Sequence, residues 1–224
     1  MNIILDVETA GTFGKSLVYD LGFIVVDNNG NIIDSRNWVI DDIYYGMKDK
    51  MQTAYYAEKL PTYDIEITNG EREVISMANA YKEFASICEY YKVRKAYAFN
   101  AIFDYKALNY TSKVCSNGFI TEFLPANVKM NCILGASLST ICNSKKYAEF
   151  AERTEKGNIR VNAENVYRYI TQDTEFIEAH TGLADAIIEN EILKACKKRH
   201  QAMDTEPKPL QSFTNYQLIQ KKYR

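Results

Sequence analysis

The chain opens with an unbroken apolar run, Ile3-Ile4-Leu5, that stops at Asp6. A short run without polar alternation predicts a strand buried on both faces, here residues 2–6. The stretches 18–27 and 31–40 are rich in β-branched and aromatic residues and predict two further strands. Between them lies Asn28-Asn29-Gly30-Asn31, and Asn-Gly is a strong tight-turn signal, so these two strands should form a hairpin.

The pattern then changes period. Met77, Tyr81, Phe84, Cys88 and Tyr91 recur at spacings of 4, 3, 4 and 3, which predicts an amphipathic helix over 76–91 with a core-facing stripe. Ala96-Tyr97-Ala98-Phe99 reads as a fourth, short strand. A helix should open near Asp104 and run to about Cys115, and another should cross 133–150. Asn162 has the chemistry of an N-cap for a helix carrying Val166, Tyr169 and Ile170. The last long helix should cover 182–199 with Leu183, Ile187, Leu193 and Cys196 inward.

Residues 41–75 are the least regular, with Tyr44, Tyr45, Tyr55, Tyr56, Tyr63 and Pro61. They read as half-buried tyrosines on an irregular or helical insertion, with an excursion at a binding cleft as the other reading. Met203 to Ser212, with Pro207 and Pro209, reads as a linker, and 213–224 ends in the basic Lys221, Lys222 and Arg224. The expected division is one domain over 1–200 followed by a linker and tail over 201–224. Strands first and alternating strands and helices afterwards indicate an α/β or α+β domain with a mixed sheet.

Composition narrows this picture. At 224 residues, 46% hydrophobic and 25% charged, the chain is long enough for a full core. Ten Gly and four Pro exclude collagen-like and low-complexity structure. No apolar run approaches the ~18 residues of a membrane helix, so no membrane association is expected. The N-terminal residues lack a basic region and meet Asp6 too early for a signal peptide. Five scattered Cys without a CxxC pair point to a reducing cytoplasm. The net charge of −2 argues against a uniformly basic surface for nucleic acid. If metal ions held four of the 29 acids, 25 would remain against 27 basic residues, and local patches would then decide substrate attraction.

Three segments carry candidate chemistry. In Asp6-Val7-Glu8, residues i and i+2 of a strand share a face, so two carboxylates project side by side. They repel each other unless protonated or bound to a cation, and hard oxygen donors suit Mg²⁺ or Mn²⁺. Asp64-Ile65-Glu66 and Asp173-Thr174-Glu175 repeat the spacing without the preceding buried strand, and read as solvated. The second segment is Phe99-Asn100-Ala101-Ile102-Phe103-Asp104, where an Asp opens a helix after a strand. Taken alone, Asp104 reads as an ordinary N-cap. The third is His180-Thr181-Gly182-Leu183-Ala184-Asp185, a His on a loop near a helical carboxylate and hence a candidate base of near-neutral pKa.

In this order the segments resemble the DEDDh 3′–5′ exonucleases, the DnaQ-like group that includes polymerase proofreading subunits, ribonuclease T and oligoribonuclease. Asp6-Val7-Glu8-Thr9-Ala10-Gly11 matches the first family motif, Asn100 to Asp104 the second, and His180 with Asp185 the third. The resemblance covers about 1–40 and 95–195, and the stretches Tyr147 to Tyr169 and Glu178-Ala179-His180-Thr181 look most like phage or prophage members. It implies a ribonuclease H-like fold with a mixed five-stranded sheet flanked by helices. It implies two divalent ions, Mg²⁺ or Mn²⁺, held by Asp6, Glu8, Asp104 and Asp185, with Asp6 bridging and His180 as general base. Thr9, Ala10 and Gly11 would cradle the terminal nucleotide, Phe103 would stack on bases, and Asn100 would help hold the strand.

The implied activity is release of nucleoside 5′-monophosphates from single-stranded 3′ ends, DNA more than RNA. An exoribonuclease and a catalytically silent, polymerase-associated binding module are the alternatives. Phe99 departs from members that carry His there and removes a polar contact near the substrate. Lys194, Lys197, Lys198 and Arg199 read as a solvated helix end, with a phosphate-tracking patch as the other reading. The tail after Pro209 is a candidate docking peptide for a polymerase or other replication protein.

Overall fold

The apolar run at the start becomes the middle of a six-stranded mixed sheet in the computed structural model, which describes residues 1–12, 14–199, 203–207 and 209–223. Strand β1 (Asn2–Ala10) pairs antiparallel with β2 (Leu17–Val26), and β2 antiparallel with β3 (Ile32–Ile40). On the other side of β1 lie β5 (Lys95–Ala98) and β6 (Lys129–Cys132), both parallel. Strand β4 (Glu73–Ile75) adds to β3 in parallel, giving the order β4-β3-β2-β1-β5-β6. The sheet is thus α/β and mixed as expected, with six strands where five were expected. The short edge strands β4 and β6, of three and four residues, carry too few positions for a periodic signal.

Alternation along β1 splits two cores. Ile3, Leu5 and Val7 face a layer with Phe23, Trp38, Phe84 and Phe123. Phe23 meets Trp38 and Phe84 at centroid distances of 5.0 and 5.2 Å, in edge-on geometry. Helices α4 (Met77–Tyr90) and α5 (Ala101–Cys115) cover this face. Ile4 faces the opposite core, under α9 (Gly182–Lys197), with Ile24, Ile188 and Ile192. Asp6 and Glu8 continue the Ile4 side, so the fold turns both carboxylates toward α9.

Most elements fall where the pattern put them. Ser76 caps α4, and Asn162 caps α8 (Ala163–Thr171) by accepting from the Asn165 amide. Strand β1 runs on to Ala10, so Asp6 and Glu8 sit inside it, next to a register shift between Glu8 and Thr9. Helix α5 begins three residues before Asp104, which places that Asp in the first turn and rules out a cap role. The single helix expected over 133–150 is two, α6 (Ile133–Ser139) and α7 (Lys145–Phe150). Ser139 and Thr140 hydroxyls bond back to carbonyls of the preceding turn, and Ser144 caps the second helix. On α9, Ile187 is exposed, and Ile188 and Ile192 take the inward positions.

Residues 41–75 hold the short helices α1 (Asp41–Tyr44) and α2 (Lys48–Met51), then α3 (Leu60–Thr68) and β4. The stretch expected to end in a basic tail contains α10 (Pro209–Lys222), which packs on α6. Gln220 there accepts from the Ile159 amide at 2.7 Å and donates to its carbonyl at 3.0 Å. The expectations for 201, 202, 208 and Arg224 lie outside the described residues. Among the described residues, no helix is long and apolar enough to cross a membrane.

Candidate active site

Two glycines set the geometry of the acidic centre. Gly22 pairs with Asp6 across β1 and β2. A Cβ at Gly22 would stand 1.8 Å from the Leu183 backbone nitrogen, and one at Gly182 would stand 2.9 Å from the Asp6 carbonyl oxygen. The first turn of α9 therefore rests directly on the sheet backbone beside Asp6, and this brings Asp185 to the β1 carboxylates.

A buried polar network fixes that turn. Asp20, opposite Glu8 in register, is fully buried. Its Oδ2 accepts from the Gly182 amide at 2.9 Å and from the Tyr63 hydroxyl at 2.6 Å. Its Oδ1 accepts from Arg72 at 2.8 Å. Arg72 also donates to Glu66 and Asn37 and lies 4.0 Å over the Tyr63 ring. Glu66 is thus an ion-pair partner and not a solvated acid, and Asp64 accepts from Tyr44. The insertion over 41–75 supplies Tyr63 and Arg72, and so holds the start of α9.

Four carboxylates gather from three elements: Asp6 and Glu8 from β1, Asp104 from α5 and Asp185 from α9. Strand β5 pairs with β1 only as far as Ile4, and beyond that point the Val7 backbone opposes the rise in the Asp104 pKa. Glu8, Asp104 and Asp185 are buried. Burial, and then the charges of Asp20 and Asp185, push Glu8 up to about 9. Burial and Glu178 push Asp185 up to about 8, and burial pushes Asp104 up to about 7. Asp6 is also raised, by burial and by Glu189, Asp104, Asp185 and Glu8. The Asp185 Oδ1 is buried with no hydrogen-bond partner among the described residues. Clustered, mutually repelling oxygen donors with an orphaned acceptor fit hard divalent cations.

His180 precedes α9 in a left-handed backbone conformation, φ +55°, which is uncommon outside glycine. Its ring lies flat on Tyr56 at 4.1 Å and 10°. Ligand atoms of Glu8, His180 and Asp185 fall within 4.8 Å of one another, and so do those of Glu164, Glu178 and His180. Burial lowers the His180 pKa from its ordinary value, so the ring is neutral near pH 7.

The segments expected to touch substrate are disposed around this centre. The Thr9 carbonyl accepts from the Tyr55 amide, Ala10 is buried, and Gly11 donates its amide to the Thr53 hydroxyl at 2.9 Å. Asn100 and Phe103 line a groove of about 520 Å³ with Ile102, Lys106 and Tyr110. Phe99 is buried in the core beneath α9, on the sheet face that carries Asp6 and Glu8.

Sequence reasoning assigned no site role to Glu178 or Glu189, and named Tyr56 only among the tyrosines of the insertion. Glu189 alone carried a readable signal, its spacing of four from Asp185, which puts both on one helical face.

A mixed sheet with helices on both faces and carboxylates on its central strand is a ribonuclease H-like α/β architecture. The same fold occurs in exonuclease I from E. coli. The complex of that enzyme with a dA16 oligonucleotide aligns at TM-score 0.52 and 16% identity, over 89% of this chain and 41% of the other. Its zinc-bound complex with single-stranded DNA gives 0.54 and 16%, over 89% and 40%. Its product-bound form gives 0.55 and 14%, over 88% and 43%. This chain thus spans about two-fifths of the length of those proteins. No family model matches the sequence, and no curated protein matches it.

Proposed function

We propose that the chain is a metal-dependent 3′–5′ exonuclease acting on single-stranded DNA. The clustering of Glu8, His180 and Asp185, with Asp6 and Asp104 electrostatically coupled to it from segments up to 179 residues apart, is the observation that carries this reading. The likeness in fold to exonuclease I, seen with DNA oligonucleotides, supports it.

In this reading Asp6, Glu8, Asp104 and Asp185 would hold two divalent ions, Mg²⁺ or Mn²⁺. Such ions, when bound, stabilise the attacking and leaving oxygens of an in-line displacement at phosphorus. His180, neutral at physiological pH, accepts the proton of the attacking water. The water oxygen bonds to phosphorus, the bond to the 3′ oxygen of the penultimate nucleotide breaks, and a nucleoside 5′-monophosphate leaves. The backbone from Thr9 to Gly11 borders the terminal nucleotide. Asn100, Phe103 and Tyr110 offer hydrogen bonding and aromatic faces to the strand, and Lys106 offers a charge to its phosphates.

The test uses 5′-labelled DNA and RNA of one sequence with Mg²⁺, Mn²⁺ or EDTA, beside His180→Ala protein. A metal-dependent ladder shortening from the 3′ end, faster on DNA and lost in the variant, is expected. RNA degraded faster than DNA would make the enzyme an exoribonuclease. No ladder on either strand would make the chain a binding module.

A further inference from the structure

Glu8 and Asp185 gather with His180 on one side of the acidic centre, with ligand atoms within 4.8 Å of each other. Asp6 and Asp104, from β1 and α5, lie outside that cluster, and the charge of Asp104 is among those that raise Asp6. Glu189 lies one turn beyond Asp185 on α9, on the same helical face, and is 2% exposed. Its neighbours Ile188, Ile192 and Leu193 are buried and apolar, as the core side of this helix requires. An acid among them is costly unless something pairs with it. The Glu189 Oε2 has no hydrogen-bond partner among the described residues, the same condition as the Asp185 Oδ1.

Resting on the two-ion reading above, we infer that Glu189 is a fifth carboxylate of the ion centre. It completes on the Asp6–Asp104 side the donor set that Glu8 and Asp185 complete on the other. The electrostatics agree. After burial, Glu189 is the strongest influence raising Asp6, and Asp104 is the strongest charge raising Glu189. The Phe99 backbone, just past the end of β5, opposes that rise in Glu189. A cation held by these acids would remove the repulsion and satisfy the orphaned oxygen.

The experiment is Mn²⁺ titration calorimetry on the metal-free full chain, wild type against Glu189→Gln and Glu189→Asp, with thermal unfolding of each in EDTA. Wild type should bind two ions. Glu189→Gln should weaken one of them by about 10–100-fold, the range known for groups that support metal ligands, and leave the other unchanged. Glu189→Asp keeps the charge and should retain both ions. In EDTA at pH 8, Glu189→Gln should melt at or above wild type, because a neutral amide replaces a buried, unpartnered acid. Two ions at wild-type affinity in Glu189→Gln would overturn the inference. So would Glu189→Asp behaving worse than Glu189→Gln in both assays, which marks a packing role. A wild type that binds no Mn²⁺ would defeat the two-ion reading and this inference with it.

Discussion

Removing the Arg72 guanidinium should unfasten the start of α9. The Arg72 side chain is 2% exposed and that of Asp20 is fully buried, at 2.8 Å. Breaking a buried pair by deleting one partner costs about 3–5 kcal/mol, because the other charge stays uncompensated. In Arg72→Met, Asp20 still accepts from Tyr63 and from the Gly182 amide, so the lower end, about 3 kcal/mol, applies. For a chain of this size that is a fall of about 6–12 °C in Tm. The effect has a pH signature. Burial already holds the Asp20 carboxyl above its ordinary value of 3.8, and Arg72 is the largest influence opposing that. Without Arg72 the folded-state pKa climbs further above the unfolded one. Stability from such a group is full below the unfolded pKa and is lost as pH rises through the folded one. The deficit of Arg72→Met should therefore be smallest near pH 5 and largest near pH 8. Urea unfolding of wild type, Arg72→Met, Asp20→Asn and the double variant measures it, and the double variant should lose less than Arg72→Met alone. A loss under about 1 kcal/mol at pH 7.5, or a deficit that grows on acidification, would refute the argument.

Three further outcomes follow from the site. Glu8, Asp104 and Asp185 stand near 9, 7 and 8 in the folded protein, so metal-free stability should fall between pH 6 and 9, and Mg²⁺ should restore it more as pH rises; a flat melting temperature across that range in EDTA would contradict it. Gly22→Ala puts a methyl 1.8 Å from the Leu183 nitrogen, and should cost about 3 kcal/mol and weaken Mn²⁺ binding by displacing Asp185; unchanged calorimetry would count against the close helix–sheet contact. Tyr56→Ala should re-expose His180, raise its pKa toward 6.5 and move the acid limb of the rate profile upward, with Tyr56→Phe leaving it in place; identical profiles for the two variants would remove Tyr56 from the account.

The parts of the fold that were readable in the chain are those with local causes. The run Ile3-Ile4-Leu5 gave β1, the Asn-Gly turn gave the hairpin, and the alternation of a strand put Asp6 and Glu8 on one face. The meeting of these acids with Asp104, His180 and Asp185 was legible only as a resemblance in motif order, since no local pattern brings such distant segments together. Glu189 went unread despite its spacing of four from Asp185, because a polar residue on an amphipathic helix reads as a solvent face, and periodicity does not reveal a helix whose polar side is also buried. The role of the insertion was equally hidden. Arg72 and Asp20 lie 52 residues apart, and Tyr63 becomes a hydrogen-bond donor to Asp20 only once the sheet has formed. The break between α6 and α7 depends on hydroxyl-to-carbonyl bonds of Ser139 and Thr140, which compete with helix propensity and leave no hydrophobic trace.

The most direct test of the central claim is the fate of the water oxygen. Single-stranded DNA is digested in ¹⁸O-enriched water with Mg²⁺ under single-turnover conditions, and the first mononucleotide released is weighed by mass spectrometry. Attack of water at phosphorus from the 3′ end predicts a nucleoside 5′-monophosphate of the 3′-terminal base carrying one ¹⁸O on its phosphate, formed by wild type and not by Asp6→Asn. A 3′-phosphate product, release of the 5′-terminal base first, or equal yield from Asp6→Asn would contradict the account.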